Sequence, residues 1–532
     1  MAIYSSTLPE DYWDNYFIQE KDIDYLYNFL LEVEIPQTPL ELINALVHER
    51  ISVERKEIEK NSLSGGTIYR PANSFSIGQE IVVPSLNWEK ASVVAIRDGK
   101  NPEYAPFKVI EISLDNGEHH QLAAELTSHI LNDLPLEKIQ QDPKLDPDYV
   151  LKNYSDLLTD RLSESLENNP DIVRIAGKWF PRALLVDVNI GYLNLAEALL
   201  EMEAGGPLPT SAILEQIELP TDVNLKLTEF SLNLALQEDG RFDEVGPSGE
   251  VVWYLRRLEP NGVQTTPSFL KYTQVQYPHE SIASIDALLK GTIYDELEPE
   301  FAPTGKVDET VVSLLFPHWR SGTLPLAGQL KNILPSAIES QRVRFSFCDA
   351  NTGEKFPGWV NLKSHYIYGL IDWYKAQGAF PGTLITIKRG KDLGEVVIRV
   401  DKRKNSREWV RTALVGNDNK IVFAMLKQPV YTAYDERMVL AVPDPDAIDK
   451  LWEQRQFQKS SLEEIIIYIM RELTKLNPQG HIHGLELYTA INIIKRCPPG
   501  PIFNLLAEKS FASYLGDLYF RLEEETQENE NG

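Results

Sequence analysis

The residues whose type and placement point most directly to a chemistry are cations. Between Thr304 and Val442 the sequence holds 20 Lys and Arg against 13 Asp and Glu, a local charge of +7 in a chain whose net charge is −27. A basic block confined to one stretch of an acidic protein is an electrostatic footprint for an anionic partner. The acidic remainder argues against loose binding of nucleic acid over the whole surface, so any contact with it must be local. Within the block, Lys388-Arg389 closes an apolar run, and Lys402-Arg403-Lys404 with Arg407 and Arg411 forms the densest cluster.

Other chemistries lack their residues. No G-x-x-x-x-G-K-[ST] loop, dinucleotide fingerprint or G-x-S-x-G elbow occurs. His119-His120 is a lone pair, and His481-Ile482-His483 lies fourteen residues before Cys497, which is an incomplete ligand set for zinc. Glu54-Arg55-Lys56 and Asp98-Gly99-Lys100 each place a carboxylate two residues before a lysine, without the upstream strand-end Pro-Asp that would complete a nuclease core. The reading is of a binding protein, with no metal, no cofactor and no enzymatic activity.

The elements around the cations read as strands. Val311–Phe316 opens the block, Val343–Phe347 alternates with period two, and Thr383–Ile387 and Gly394–Val400 follow. A D-x-x-T-G turn (Asp349 to Gly353), a return strand with Trp359, the run Tyr366 to Leu370 and a short helix with Trp373 and Tyr374 lie between them. This order, over about 90 residues, resembles the B-three pseudobarrel of plant transcription factors and of the effector domains of some restriction enzymes. The resemblance implies that two arms grip the major groove of double-stranded DNA. By position these would be His318-Trp319-Arg320-Ser321 and Asn361-Leu362-Lys363-Ser364-His365. Arg320 would read base edges, while Lys363 and Ser364 would hold phosphate. Lys388, Arg389, Lys402, Arg403 and Lys404 would extend the patch.

The rest of the chain divides by pattern. Residues 1–68 read as helical: Ile23, Leu26, Phe29 and Leu30 share a face, and Thr38-Pro39-Leu40-Glu41 starts a second helix, an arrangement like a helix-turn-helix. Residues 69–135 hold evenly spaced short strands and read as a small β-barrel. In 136–303, helical runs at Leu193–Leu200, from Thr210 and at Leu225–Gln237 precede Asp239-Gly240-Arg241-Phe242-Asp243-Glu244-Val245-Gly246 and a strand ending at Leu255. The stretch 172–258 resembles the HARE winged helix, whose members include the RNA polymerase delta subunit. Its third helical run carries Lys226 against Glu229, and its wing carries Asp243 and Glu244 beside Arg241. These three carboxylates, Glu229, Asp243 and Glu244, are the expected contacts to a protein partner. Residues 443–522 repeat the order of parts more weakly, and 523–532 form an acidic tail.

The fold class expected is therefore α+β and multidomain: helical and winged-helix modules, a small β-barrel and a larger B-three-like pseudobarrel. Two cysteines suit a reducing cytoplasm, and no apolar stretch approaches a membrane span. Two functional readings stand side by side. One is a DNA-binding regulatory or antiviral defence protein whose winged helices dock protein partners. The other is an acidic adaptor of the transcription machinery with no direct reading of DNA.

Overall fold

The computed structural model describes residues 8, 11–63, 67–86, 89–101, 106–114, 117–133, 142–217, 219, 224–454, 457 and 459–523. The acidic tail beyond Glu523 and most of the polar linker at 62–66 lie outside the described residues. Helices and sheets both contribute, and the chain forms two compact units, residues 1–187 with 221–231, and residues 188–220 with 232–532. Among the described residues no helix is long and apolar enough to cross a membrane.

In the first unit, helix Glu20–Val33 buries Leu26 and Leu30, and helix Pro39–Leu63 buries Leu42, Leu46 and Val47. The second helix starts where it does because Thr38 and Glu41 satisfy each other's backbone donors: Glu41 N–H donates to Thr38 Oγ1 (3.3 Å) and Thr38 N–H to the Glu41 carboxylate (2.7 Å). Between these helices Gln37 pairs with Trp179, exchanging backbone hydrogen bonds of 3.1 and 2.7 Å. A third helix, Pro147–Glu167, lies along the second and turns Val150, Leu158, Leu162 and Leu166 inward. A hairpin of β6 (Ile172–Ile175) and β7 (Lys178–Pro181) closes the set.

Between the second and third helices runs a five-stranded meander: β1 (Thr67–Ile68), β2 (Glu80–Val83), β3 (Glu89–Asp98), β4 (Lys108–Leu114) and β5 (His119–Ala124), paired in that order. Its ends curl toward each other through the Tyr69 hydroxyl, which donates to Ala123 O (2.6 Å), and through Leu126 N–H to Pro71 O (2.8 Å). The helical module expected to end at residue 68 therefore does not end there. The sheet is inserted within it, and the hydrophobic face of helix Pro39–Leu63 is covered by the helix Pro147–Glu167 that follows the sheet.

The second unit begins with helices Ile190–Met202, Thr210–Ile217 and the later part of Leu225–Glu238. They pack Leu193, Leu200, Ile213, Leu232 and Leu236 against Trp253 on a sheet of β8 (Leu208–Pro209), β10 (Val252–Leu255) and β9 (Phe242–Glu244). Trp253 Nε1 lies 3.0 Å from Asn233 Oδ1 and 3.1 Å from Thr210 Oγ1, which ties two helices to the sheet through buried polar groups. The start expected at 172 is too early: β6 and β7 belong to the first unit.

The same order returns at the C-terminus. Helix Leu462–Thr474 is followed by β20 (His481–His483), helices Gly484–Ile494 and Pro499–Glu508, β21 (Ala512–Gly516) and β22 (Tyr519–Leu522), with sheet order β20-β22-β21. Helix, short strand, two helices and a hairpin whose last strand is central thus occur three times, the first copy being Gln37-β7-β6 with its three helices. The sequence showed only the second and third copies.

Between them lies a seven-stranded sheet: β11 (Glu309–Ser313), β12 (Thr323–Pro325), β13 (Arg342–Asp349), β14 (Lys355–Asn361), β15 (Tyr366–Tyr368), β16 (Leu384–Arg389) and β17 (Glu395–Val400). Their spatial order is β11-β16-β17-β13-β14-β15-β12, antiparallel except for β13 with β17, and open along β11 and β12. Helices Phe316–Ser321 and Ile371–Gln377 follow β11 and β15. Alternation fills the interior with Val343, Phe345, Phe347, Ile385, Ile387, Val396 and Ile398. The strand expected over 311–316 stops at Ser313, because Pro317 opens a helix that Gly322 ends in the left-handed region (φ +66). A Cβ at Gly322 would come within 2.7 Å of Ile371, so the glycine also allows close approach of the second helix.

Candidate nucleic-acid interface

The basic residues named from the sequence fall into three groups with different surroundings. In the first, Trp319 and Arg320 lie on the helix Phe316–Ser321 rather than on a free arm. Trp319 Nε1 donates to Ala379 O (2.8 Å). Arg320 holds Asp449 through two nitrogens (Nε to Oδ1 3.0 Å, Nη2 to Oδ2 2.5 Å) and Asp446 at 3.0 Å. These carboxylates raise its pKa, so the side chain expected to read bases is engaged within the chain. His318 beside them is fully buried between Thr323 Oγ1 and Glu296 Oε2, each at 2.9 Å.

In the second group the β14–β15 turn carries Lys363, Ser364 and His365. Ser364 Oγ meets Thr266 Oγ1 at 3.1 Å, and the flanking Asn361 and Tyr366 donate to the backbone of Val263 and Gly262. This turn is thus braced by the segment after β10. Lys363 and His365 stay exposed, the latter at φ +53 with its pKa lowered by partial burial and by Lys331. Lys388 and Arg389 end β16 on loose ion pairs to Glu309 (3.9 Å) and Asp308 (3.8 Å), and Arg389 also donates to the Asn332 carbonyl. Because Asn332 follows Lys331, the structure brings Arg389 and His365 to the surroundings of one short helical turn, Leu330–Ile333.

The third group lies on a long hairpin of β18 (Lys402–Val415) and β19 (Ile421–Thr432), which the charge pattern marked but whose strands the sequence reading did not assign. Seven cations against two carboxylates give Lys402–Thr432 a charge of +5. Lys402 Nζ donates to Gln377 O (2.8 Å), and Arg403 meets Glu408 at 3.2 Å while lying 4.8 Å from the Tyr434 ring centroid. Lys404, Arg407 and Lys427 are exposed and have no ion pair among the described residues. Trp409, directly across the ladder from Lys427, is 61% exposed. The sequence reading missed Trp409 and Lys427, although an apolar aromatic within a basic strand was a signal for them.

The carboxylates expected to meet a protein partner divide as well. Asp243 accepts from Arg342 (2.7 Å), and Arg342 also lies 3.0 Å from the buried Glu259. Glu244 accepts from Gly246 N–H (2.8 Å), and burial pushes its pKa up to about 7. Ser340 Oγ donates to Glu244 O at 2.5 Å, and Arg344 N–H to Val245 O at 2.8 Å. The wing is therefore seated against the start of β13, ahead of its pairing with β17, and Asp243 and Glu244 serve that contact. Glu229, half-buried on its helix, is not part of it.

Among the described residues no cluster of His, Cys, Asp and Glu could hold a metal ion. His483 Nδ1 accepts from Leu485 N–H (3.2 Å) as a helix cap, His481 meets Arg521 at 2.7 Å, and burial raises the Cys497 thiol. Comparison with family models, curated proteins and solved structures finds no match to this chain. Its class is set by its own architecture, α+β and multidomain.

Proposed function

We propose that this is a DNA-binding regulatory or defence-associated protein. Its seven-stranded sheet acts as a B-three-like pseudobarrel in contact with nucleic acid, and its winged-helix modules dock protein partners. The observation that carries the reading is the set of exposed cations without ion pairs among the described residues, Lys363, Lys404, Arg407 and Lys427, within the one basic block of an acidic chain. The order of strands and helices from β11 to β17 supports it. A restriction follows from Arg320: with its guanidinium on Asp449, base reading passes to other residues or is absent. The test is the affinity of the full chain for a random-sequence duplex across a salt series. Each phosphate contact adds about 0.9 to the slope of log affinity against log salt. Binding should weaken when Lys363, Lys388, Arg389, Lys404 and Arg407 are replaced by Ala together. No binding by the wild-type chain at low salt would overturn the reading.

The adaptor reading is favoured by one separate observation. Helix Ile190–Met202 turns Leu195, Ala198 and Met202 outward at spacings of three and four, with Met202 82% exposed. An exposed apolar stripe on a helix suits a protein surface better than a phosphate backbone. The third helices of the three modules agree: Pro147–Glu167 carries Lys152 and Arg161 against five carboxylates, and Pro499–Glu508 carries no cation. In this second reading the winged helices dock a partner such as the transcription machinery and the chain does not read DNA directly.

A further inference from the structure

The β18–β19 hairpin has two faces, and the fold leaves uncovered the part of one face that lies away from the turn. Val410 and Val430 pack on Val439, and the far end enters the core of the C-terminal module through Ala413, Ile421 and Phe423. On the face opposite Val410 and Val430, which Ala413, Ile421 and Phe423 share nearer the turn, the register sets Trp409 across from Lys427 and Arg407 across from Pro429, and strand alternation puts Arg407, Trp409 and Arg411 on one side. Arg411 is held by Glu486 at 2.7 Å, whereas Arg407 and Lys427 have no ion pair among the described residues. Lys427 Nζ sits 5.5 Å from the centroid of the Trp409 ring. Met425, 40% exposed, adds apolar surface on the same face.

We propose that this face binds an unpaired, single-stranded stretch of nucleic acid, with Trp409 as the platform on which a base stacks and with Arg407 and Lys427 holding the flanking phosphates. The inference rests on the nucleic-acid reading of the basic block and names the form of ligand for one part of it. An exposed indole beside cations is the combination that single-strand sites use, because every base has a face to stack and the backbone supplies the charge. A base inside a duplex has both faces covered and must be pulled from the stack before an indole can meet it, at a cost of a few kcal/mol. An acidic protein partner would satisfy the cations but would leave the indole without a planar surface to cover. Arg407 stands two residues from Trp409, about 6.6 Å along the strand, so that a base on the ring leaves its backbone within reach of the guanidinium.

The experiment measures the affinity of the full chain for a 20-nucleotide oligothymidylate and for a duplex of about the same length, at low and at physiological salt. The wild-type chain should bind the single strand. Trp409→Ala should weaken that binding at least about five-fold and leave the duplex affinity unchanged, while Trp409→Phe should retain most of it. Arg407→Ala with Lys427→Ala should weaken it and reduce its salt slope. The side chain is exposed, and an unchanged melting temperature would show that the Ala variant is folded. Equal affinity of wild type and Trp409→Ala for the single strand would overturn the inference and leave duplex binding by the block standing. Binding of the duplex but not of the single strand would do the same. Binding of neither would overturn both.

Discussion

Arg320 holds Asp449 through a paired contact, Nε to one carboxylate oxygen and Nη2 to the other, and so fastens the helix after β11 to helix Pro445–Glu453. Such a forked contact between a guanidinium and a carboxylate is stronger than a single ion pair and fixes orientation. Arg320→Ala should therefore act first on stability, lowering it by about 1–2 kcal/mol for a partly exposed pair with two acceptors. Its effect on DNA should be equal for preferred and random sequences. A loss confined to preferred sequences, with an unchanged melting temperature, would return Arg320 to the role of base reader.

Arg342 makes a comparable link between β13 and the wing. It lies between Asp243 of the wing (2.7 Å) and Glu259 (3.0 Å), whose side chain is fully buried and whose pKa burial pushes up to about 8, with Asp243 adding to the shift and Arg342 opposing it. Asp243→Lys puts a second cation against Arg342. The variant should lose about 2–3 kcal/mol of stability, the range for breaking a buried charge contact after allowance for its partial exposure. Urea unfolding would measure it. A variant as stable as wild type that has lost a protein partner would place Asp243 on an external surface instead.

What the sequence made legible was the local pattern, and what it hid was contact at a distance. Period-two alternation marked β13, apolar runs marked β16 and β17, and the Thr38–Glu41 pair marked a helix start, because these signals need only neighbours in the chain. The first three-helix module was hidden because the 67–124 sheet separates its second helix from its third, and because its first strand is a single bridge at Gln37. The partner of Arg320 was hidden for the same reason. Its charge was visible, but Asp449 lies 129 residues later. Asp243 and Glu244 were likewise read as free carboxylates although the start of β13 and the residues before it take them up.

Glu298 gives a pH dependence with a definite sign. Burial pushes its pKa up to about 7, against hydrogen bonds from Gly500 N–H and from the Tyr277 hydroxyl, while Asp295 and Glu300 face it and raise it further. The folded value lies above the ordinary carboxylate value, so the folded state binds the proton more tightly than the unfolded chain. Stability is then greatest at low pH with respect to this group, and falls as the pH rises from about 4.5 through about 7. Glu298→Gln, which can still accept from Gly500, should remove about 2–3 kcal/mol of that fall. The measurement is the difference in unfolding free energy between variant and wild type at pH 5 and pH 8. A difference that does not change with pH would exclude Glu298 as the titrating group.

Asp349 has the opposite sign and a larger structural role. It ends β13 with its side chain buried: Oδ1 accepts from the backbone of Asn351 (2.7 Å) and Thr352 (3.1 Å), shaping the turn to β14. Oδ2 accepts from Trp373 Nε1 (2.6 Å) and Gln377 Nε2 (2.8 Å), which fixes the helix after β15 over the end of the sheet. Burial would raise its pKa, but the bonds from Trp373, Asn351 and Thr352 and the nearby Lys402 outweigh burial and hold it below the ordinary value. Its contribution is therefore fully present above the unfolded pKa of about 4 and is lost as the pH falls through the folded one. Asp349→Ala leaves two buried side-chain donors without an acceptor, at about 1–3 kcal/mol each, so the loss should be about 2–5 kcal/mol at neutral pH. Asp349→Asn should cost nearly as much, because its amide N–H groups would face either the Trp373 and Gln377 donors or the two backbone N–H groups. Because that helix also receives Lys402 through Gln377 O, the same variants should disturb the base of the β18–β19 hairpin. Denaturant unfolding and hydrogen exchange at residues 402–415 check the two effects, and a variant stable at neutral pH with unchanged exchange in β18 would show that the four bonds do not hold this corner together.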